Sequence, residues 1–173
     1  MSSNIEEAFA LECFNIGLGS CKNVKLSWIY DVEPIIDKIL RNNNEKAYRI
    51  NYYKETQTIE IKMVTREFIS SHFDLQSKAE YILPVSINKE SNKFSLPMSY
   101  HVLCCILLEL YLSQNNKDES FLDWPTLKVE ASYEDVSGNK YKRSMNLKPK
   151  VIDVKKIKND MEPCARGWFE VSL

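Results

Sequence analysis

The segment TLKVEASYEDVSGNKYKRSMNL, residues 126–147, constrains the fold most. Leu127, Val129, Ala131 and Tyr133 alternate with polar residues before DVSGN, and Tyr141, Arg143, Met145 and Leu147 share one parity after it. A period of two with a turn between is the pattern of an antiparallel hairpin with one face inward. Gly138 and Asn139 supply the residues that tolerate positive φ at the turn. A chain that contains such a hairpin must build a sheet around it, because an isolated two-stranded ribbon is marginal in water.

The same period recurs elsewhere. Phe9, Leu11 and Cys13 alternate in AFALECF, and Val24, Leu26, Trp28 and Tyr30 alternate in NVKLSWIYD. Residues 47–65 alternate twice about KETQ, which predicts a second hairpin. YILPVSI predicts an edge or bulged strand because of Pro84, GWFEVSL predicts a final strand, and REFISSHFDLQSKAE shows no regular pattern. Two segments break the period. Val32, Ile35, Ile36, Ile39 and Leu40 fall on one helical face, with Asp31 as N-cap and Asn42–Asn44 as the stop. SYHVLCCILLELYL is apolar nearly all round, which predicts a buried helix that Pro97 precedes and Ser99 caps. Roughly eight strands and two helices at this spacing predict a mostly-β sandwich, a single domain over residues 1–173 with helical insertions near 32–42 and 99–114.

Composition narrows the function. With 23 basic and 24 acidic residues the net charge is −1, which argues against nucleic acid as the partner, since phosphate binding needs clustered positive charge. The five cysteines, Cys13, Cys21, Cys104, Cys105 and Cys164, are odd in number and two are adjacent, unlike a disulfide framework. They lean toward a reducing compartment, although a Cys13–Cys21 bridge stays open if the two flank a tight corner. The N-terminal residues lack the basic start and continuous apolar core of a signal peptide, and Val102–Leu112 is too short to span a bilayer.

CFNIGLGSCKNV, residues 13–24, holds two of the four glycines. A phosphate-binding loop needs G-x-x-x-x-G-K-[ST] opening a helix, and a dinucleotide fingerprint needs a third glycine and a helix after it. Here the spacing is G-x-G and the following residues alternate as a strand. The segment therefore reads as a corner in which Asn15, Gly17 and Gly19 are structural, with Gly138 in the same role at the later turn.

The run Asn15-x-Gly17-x-Gly19-x-Cys21-x-Asn23-Val24 resembles the N-x-G-x-G-x-A-x-N-V signature of bacterial immunoglobulin-like modules of the adhesion type, with Cys21 in place of the small alanine. Tyr133, Asp135, Gly138 and Tyr141 resemble the Y-x-D-x-x-G-x-x-Y pattern of the matching late hairpin. Together the two cover about a quarter of the chain, and the two helices and the middle of the chain depart from a simple sandwich. The resemblance implies an immunoglobulin-like β-sandwich with two helical insertions. It is also similar to modules that uncharacterised bacterial proteins carry beside N-terminal membrane helices. That implies membrane association through a segment preceding this one, with a cytoplasmic location as the alternative.

Several constellations bear on chemistry. His101, Cys104 and Cys105 stand at i, i+3 and i+4 of the second helix and carry ligand types for zinc, with Cys164 or His72 to complete a tetrahedron. No C-x-x-C pair accompanies them, and packing of the thiols in a core helix is the simpler reading. The same thiols with His72 or His101 could form a nucleophilic pair, but an apolar helix raises a thiol's pKa. Glu130, Glu134 and Asp135 could serve glycoside hydrolysis, yet read more simply as a solvated strand face. Trp124, before Pro125 in a loop, is the aromatic expected to be exposed and able to stack on a sugar. Lys148–Lys158 is locally basic and could touch anionic lipid.

The expected function is a non-catalytic binding or interaction module that needs no cofactor. Its partner is a protein or an extended ligand held by loops or an open sheet edge. A carbohydrate-binding module built on Trp124 is the alternative, and a zinc or thiol-dependent enzyme using His101, Cys104 and Cys105 is the third reading.

Overall fold

The computed structural model describes residues 10–43, 47–63, 67–71, 75–113, 124–155 and 164–172. The protein is mostly β, with several antiparallel sheets and two helices. The elements run β1 (Ala10–Cys13), β2 (Cys21–Ile29), α1 (Val32–Asn42), β3 (Tyr48–Tyr53), β4 (Thr58–Met63), β5 (Glu67–Ser71), β6 (Gln76–Ile82), β7 (Asn92–Ser95), α2 (Met98–Ser113), β8 (Leu127–Glu134), β9 (Lys140–Lys155) and β10 (Cys164–Ser172). They form a five-stranded sheet in the order β10-β9-β8-β2-β6, a three-stranded sheet β3-β4-β5 and a ribbon β1-β7.

The five-stranded sheet has one apolar and one polar face. Val24, Leu26 and Trp28 of β2, Leu127 and Val129 of β8, and Leu147 of β9 are buried. Lys25 and Ser27 of β2 and Lys128, Glu130 and Ser132 of β8 lie half-exposed at the intervening positions. Such alternation is what a sheet with one solvated face requires. The buried side chains join those of both helices and of Tyr48, Ile50, Ile59 and Ile61 from the three-stranded sheet in one hydrophobic cluster.

The helices follow the sequence closely. Asp31 is extended and its carboxylate accepts from the Glu33 backbone N–H at 3.3 Å, capping α1. Val32, Ile35, Ile36 and Ile39 are buried, whereas Leu40 is exposed at the end of the stripe. In α2 the first helical hydrogen bond runs from His101 N–H to the Pro97 carbonyl, 3.1 Å. Ser99 therefore sits inside the first turn rather than capping it. It is buried, and its hydroxyl is paired with that of Tyr30.

Three further expectations are corrected. The irregular stretch after Thr65 contains β5 and β6. YILPVSI is not one strand. β6 ends at Ile82, and Pro84, which has no N–H to give a ladder, makes an isolated bridge to Asn15 before a turn whose Ile87 and Asn88 N–H groups return to the Pro84 carbonyl. The segment before the last strand, ambiguous in sequence, carries β9 on to Lys155.

One feature of β2 positions the site. Lys22 faces Glu134 on β8, but the next registered pair is Lys25 with Ser132, so two residues of β2 oppose one of β8. Asn23 absorbs the bulge with φ of 51°, a left-handed conformation that asparagine tolerates, and its side-chain amide donates to Glu134 at 3.1 Å. The inserted residue shifts the phase, so that Cys21 joins Val24 and Leu26 in lining one cleft.

A candidate apolar cleft

The glycine corner is held by one side chain. Asn15 Oδ1 accepts from Gly17 N–H at 2.9 Å, while Nδ2 donates to the Gly19 carbonyl at 2.8 Å and to the Ile82 carbonyl at 3.0 Å. Asn15 thereby ties residues 15–19 to the end of β6, and Val85 N–H adds a bond to the Asn15 carbonyl at 2.8 Å. A Cβ at Gly17 would lie 3.1 Å from Asn15 Oδ1, so glycine makes room for this bond. Gly19 differs from expectation. A Cβ there would meet only Val136 at 3.9 Å, ordinary contact, so sterics do not demand glycine at 19.

The late hairpin forms as its sequence predicts. Asp135 Oδ1 accepts from the N–H groups of Ser137 and Asn139, both at 2.9 Å. Oδ2 accepts from the Asn139 amide at 2.8 Å and from the Tyr141 hydroxyl at 3.1 Å. Gly138 has φ of 85°, and Tyr133 stacks on Tyr141 with ring centroids 5.2 Å apart. These bonds, Asn139 foremost, hold the Asp135 carboxyl below its ordinary pKa. A folded-state pKa below the unfolded one gives stability that is complete above the unfolded value and lost as pH falls through the folded one. The urea midpoint of Asp135→Asn should therefore lie below that of the parent at neutral pH, with a gap that closes on acidification below about pH 4. A gap constant with pH would contradict this role.

Between corner and hairpin lies an open cleft of about 490 Å³. Val24 and Leu26 of β2 and Val129 and Ala131 of β8 line it, with Leu11 and Phe94 of the β1-β7 ribbon. Gly17, Gly19, Tyr133 and Tyr141 line it at the loop end. Its size falls within the range of small-molecule sites, and its lining is mainly apolar, with Asn15, Ser20 and Asp135 as polar members. Two small side chains leave the space: Ala131, paired across the sheet with Leu26, and Cys21. Cys13 and Cys21 are both thiols on this lining, and burial raises the pKa of each, with the Asp135 carboxylate adding to the effect at Cys21. Raised thiols are poor nucleophiles at neutral pH.

The other candidates separate. His101 and Cys105 meet on one face of α2, with Cys105 Sγ 3.5 Å from His101 Nε2. Cys104 instead borders Tyr100, and burial pushes its thiol up to about 12. Cys104 and Cys105 stand about 100° apart around the helix axis, so the half-buried Cys104 and the exposed Cys105 flank His101 on opposite sides. Among the described residues no three His, Cys, Asp or Glu side chains gather as a metal site. His72 and the Cys164 side chain lie outside the described residues. Glu130 bonds Lys142 at 2.7 Å and Lys128 at 3.2 Å, which lowers its pKa, the reverse of what a general acid needs.

Trp124 is not the exposed aromatic the sequence suggests, being only 7% exposed. The Tyr100 hydroxyl donates to the Pro125 carbonyl at 2.6 Å and draws this segment inward. Trp124 borders a second cavity of about 410 Å³ with Ile35 and Leu107, so its ring is no open stacking face. Of the basic run, Lys148 to Lys155 continue β9, and 156–158 lie outside the described residues. No described helix is long and apolar enough to cross a membrane. No protein-family model, curated protein or solved structure matches the chain.

Proposed function

We propose that the chain is a non-catalytic binding module whose site is the cleft between the glycine corner and the β8–β9 hairpin, and whose ligand is an apolar or amphipathic small molecule. The observation that carries this reading is the lining: about 490 Å³ bounded mainly by carbon, on an antiparallel sheet, at the end where the loops converge. A rigid apolar cleft stabilises a ligand by removing its surface from water at about 25 cal/mol per Å² without reorganising the protein. Raised thiol pKa values at Cys13, Cys21 and Cys104 favour binding over thiol chemistry.

The immunoglobulin-like reading of the fold has support in part of the chain. The corner and the late hairpin, the two stretches that carry the resemblance, lie at the same end of one antiparallel sheet and use Asn15, Asp135 and Gly138 as turn-forming residues. Both helices supply core residues alongside the sheets, which is the departure from a plain two-sheet sandwich.

Titration with 8-anilinonaphthalene-1-sulfonate tests the reading. The native protein should give a saturable fluorescence rise that fits one site. A rise that never saturates, or none, would overturn it.

A further inference from the structure

We infer that the loop end of the five-stranded sheet is a bilayer-docking surface, in which aliphatic tips enter the lipid beside the mouth of the cleft. The proposal goes beyond the binding-module reading and stands or falls separately from it.

Three connections meet at this end. Residues 14–20 lead into Cys21, which pairs with Ile82, and Lys22 pairs with both Tyr81 and Glu134. The loop before β2, the turn after β6 and the β8–β9 turn therefore emerge side by side. Nine of the fourteen large hydrophobic side chains exposed among the described residues belong here. Leu18 is 100% exposed, Ile16 88%, Ile87 69% and Val136 57%. The other ten exposures include Phe14, Leu83 and Val85 on the same loops. An apolar concentration of this kind marks an interaction surface.

The chemistry favours lipid over protein. Residues 14–20 and 83–88 contain no charged side chain, in a chain that is 27% charged. With Phe14 the one aromatic among them, the tips are Ile, Leu and Val, types most favourable in a hydrocarbon environment. Protein-interface cores are instead enriched in aromatics, Met and Arg. The register also sorts the residues by depth. One step behind the aliphatic tips lie Tyr81 and Lys22, paired across β6 and β2, with Lys140 and Tyr141 at the start of β9. Tyr81 and Tyr141 are exposed. Tyrosine and lysine behind an aliphatic edge match the order of a membrane interface, where their polar ends reach the headgroups. Acidic Glu134 and Asp135 stand at the same level, so the end carries little net charge, and attraction should come from apolar insertion rather than from anionic lipid.

Sedimentation with neutral phosphatidylcholine vesicles tests this. The protein should pellet with vesicles at millimolar lipid and stay bound in high salt. The double variant Leu18→Ser, Ile87→Ser, at two tips that do not line the cleft, should lose at least about tenfold in partitioning, since each serine removes most of an aliphatic side chain buried in lipid. Its melting temperature should not change, because both side chains are already in water. Leu40→Ser, on α1 away from this end, should bind as the parent does. Ala131→Trp, which fills the cleft, should also still bind, and this separates the surface from the cleft. A parent protein that stays in the supernatant, release by salt, or a double variant that binds unchanged would overturn the proposal. So would a self-associated parent that the double variant turns monomeric without any vesicle binding.

Discussion

Trp28→Ala should cost about 3–5 kcal/mol and lower the urea midpoint sharply. Trp28 is 1% exposed and is the largest fully buried side chain among the described residues. It sits on an interior strand of the five-stranded sheet, opposite Val129, where β2 is flanked by β8 and β6. Its indole N–H donates to Ser77 Oγ at 3.3 Å, and its backbone N–H donates to the Leu75 carbonyl at 2.8 Å. Truncation leaves a cavity bordered by a rigid sheet that relaxes little, and the cost grows with the volume left empty. Total stability of a domain this size is about 5–15 kcal/mol, so one residue decides a large share of it. Urea unfolding followed by far-ultraviolet circular dichroism reads the loss. A midpoint within experimental error of the parent would mean that Trp28 is not at the centre of the core.

Ala131→Trp should abolish ligand binding while the fold survives. Ala131 lines the cleft between Leu26 and Arg143 in the register, and an indole there occupies the space that Ala131 and Cys21 leave open. Because the cleft is already empty of protein atoms, the added ring meets less resistance than in a close-packed core, where overpacking costs about 1–3 kcal/mol. Ser132→Trp, one residue on and facing the polar side of the sheet, is the control and should bind the probe as the parent does. Retained binding by Ala131→Trp would place the ligand elsewhere.

The parts of the fold written in local pattern were legible. The late hairpin reads from alternation and DVSGN, and α1 reads from its stripe and Asp31, because each signal lies within a few residues of what it specifies. KETQ likewise forms the β3–β4 turn, with Gln57 at φ of 47°. What was not legible depends on distant partners. Ser99 has the chemistry of a cap, but Tyr30, far away in sequence, claims its hydroxyl. Trp124 stands beside a proline in a loop, a sign of exposure, until Tyr100 binds Pro125 and the segment turns inward. The bulge at Asn23 had a faint signal, an asparagine between two alternating stretches whose phases disagree by one residue, Cys21 on one side and Val24 on the other.

The cleft was invisible for a similar reason. Its lining comes from β1, β2, β6, β7, β8 and β9 together with the glycine corner, and its apolar strand residues look in isolation like ordinary core positions. Cavity is a property of what fails to meet across the sheet. The small residues Cys21 and Ala131 were the nearest thing to a sequence trace. The apolar loops were in plain view as FNIGLGS and LPVSIN, but their convergence follows from the pairing of Cys21 with Ile82 and of Lys22 with Glu134.

The most direct test of the central claim is a nitrogen-15 correlation spectrum of the labelled protein titrated with 8-anilinonaphthalene-1-sulfonate. Shifts should concentrate at Gly17, Gly19, Cys21, Ala131 and Tyr133, with Trp124 and Leu107 at the second cavity unmoved. Shifts centred on Trp124 and Leu107, or scattered without a focus, would contradict the assignment of the cleft as the binding site.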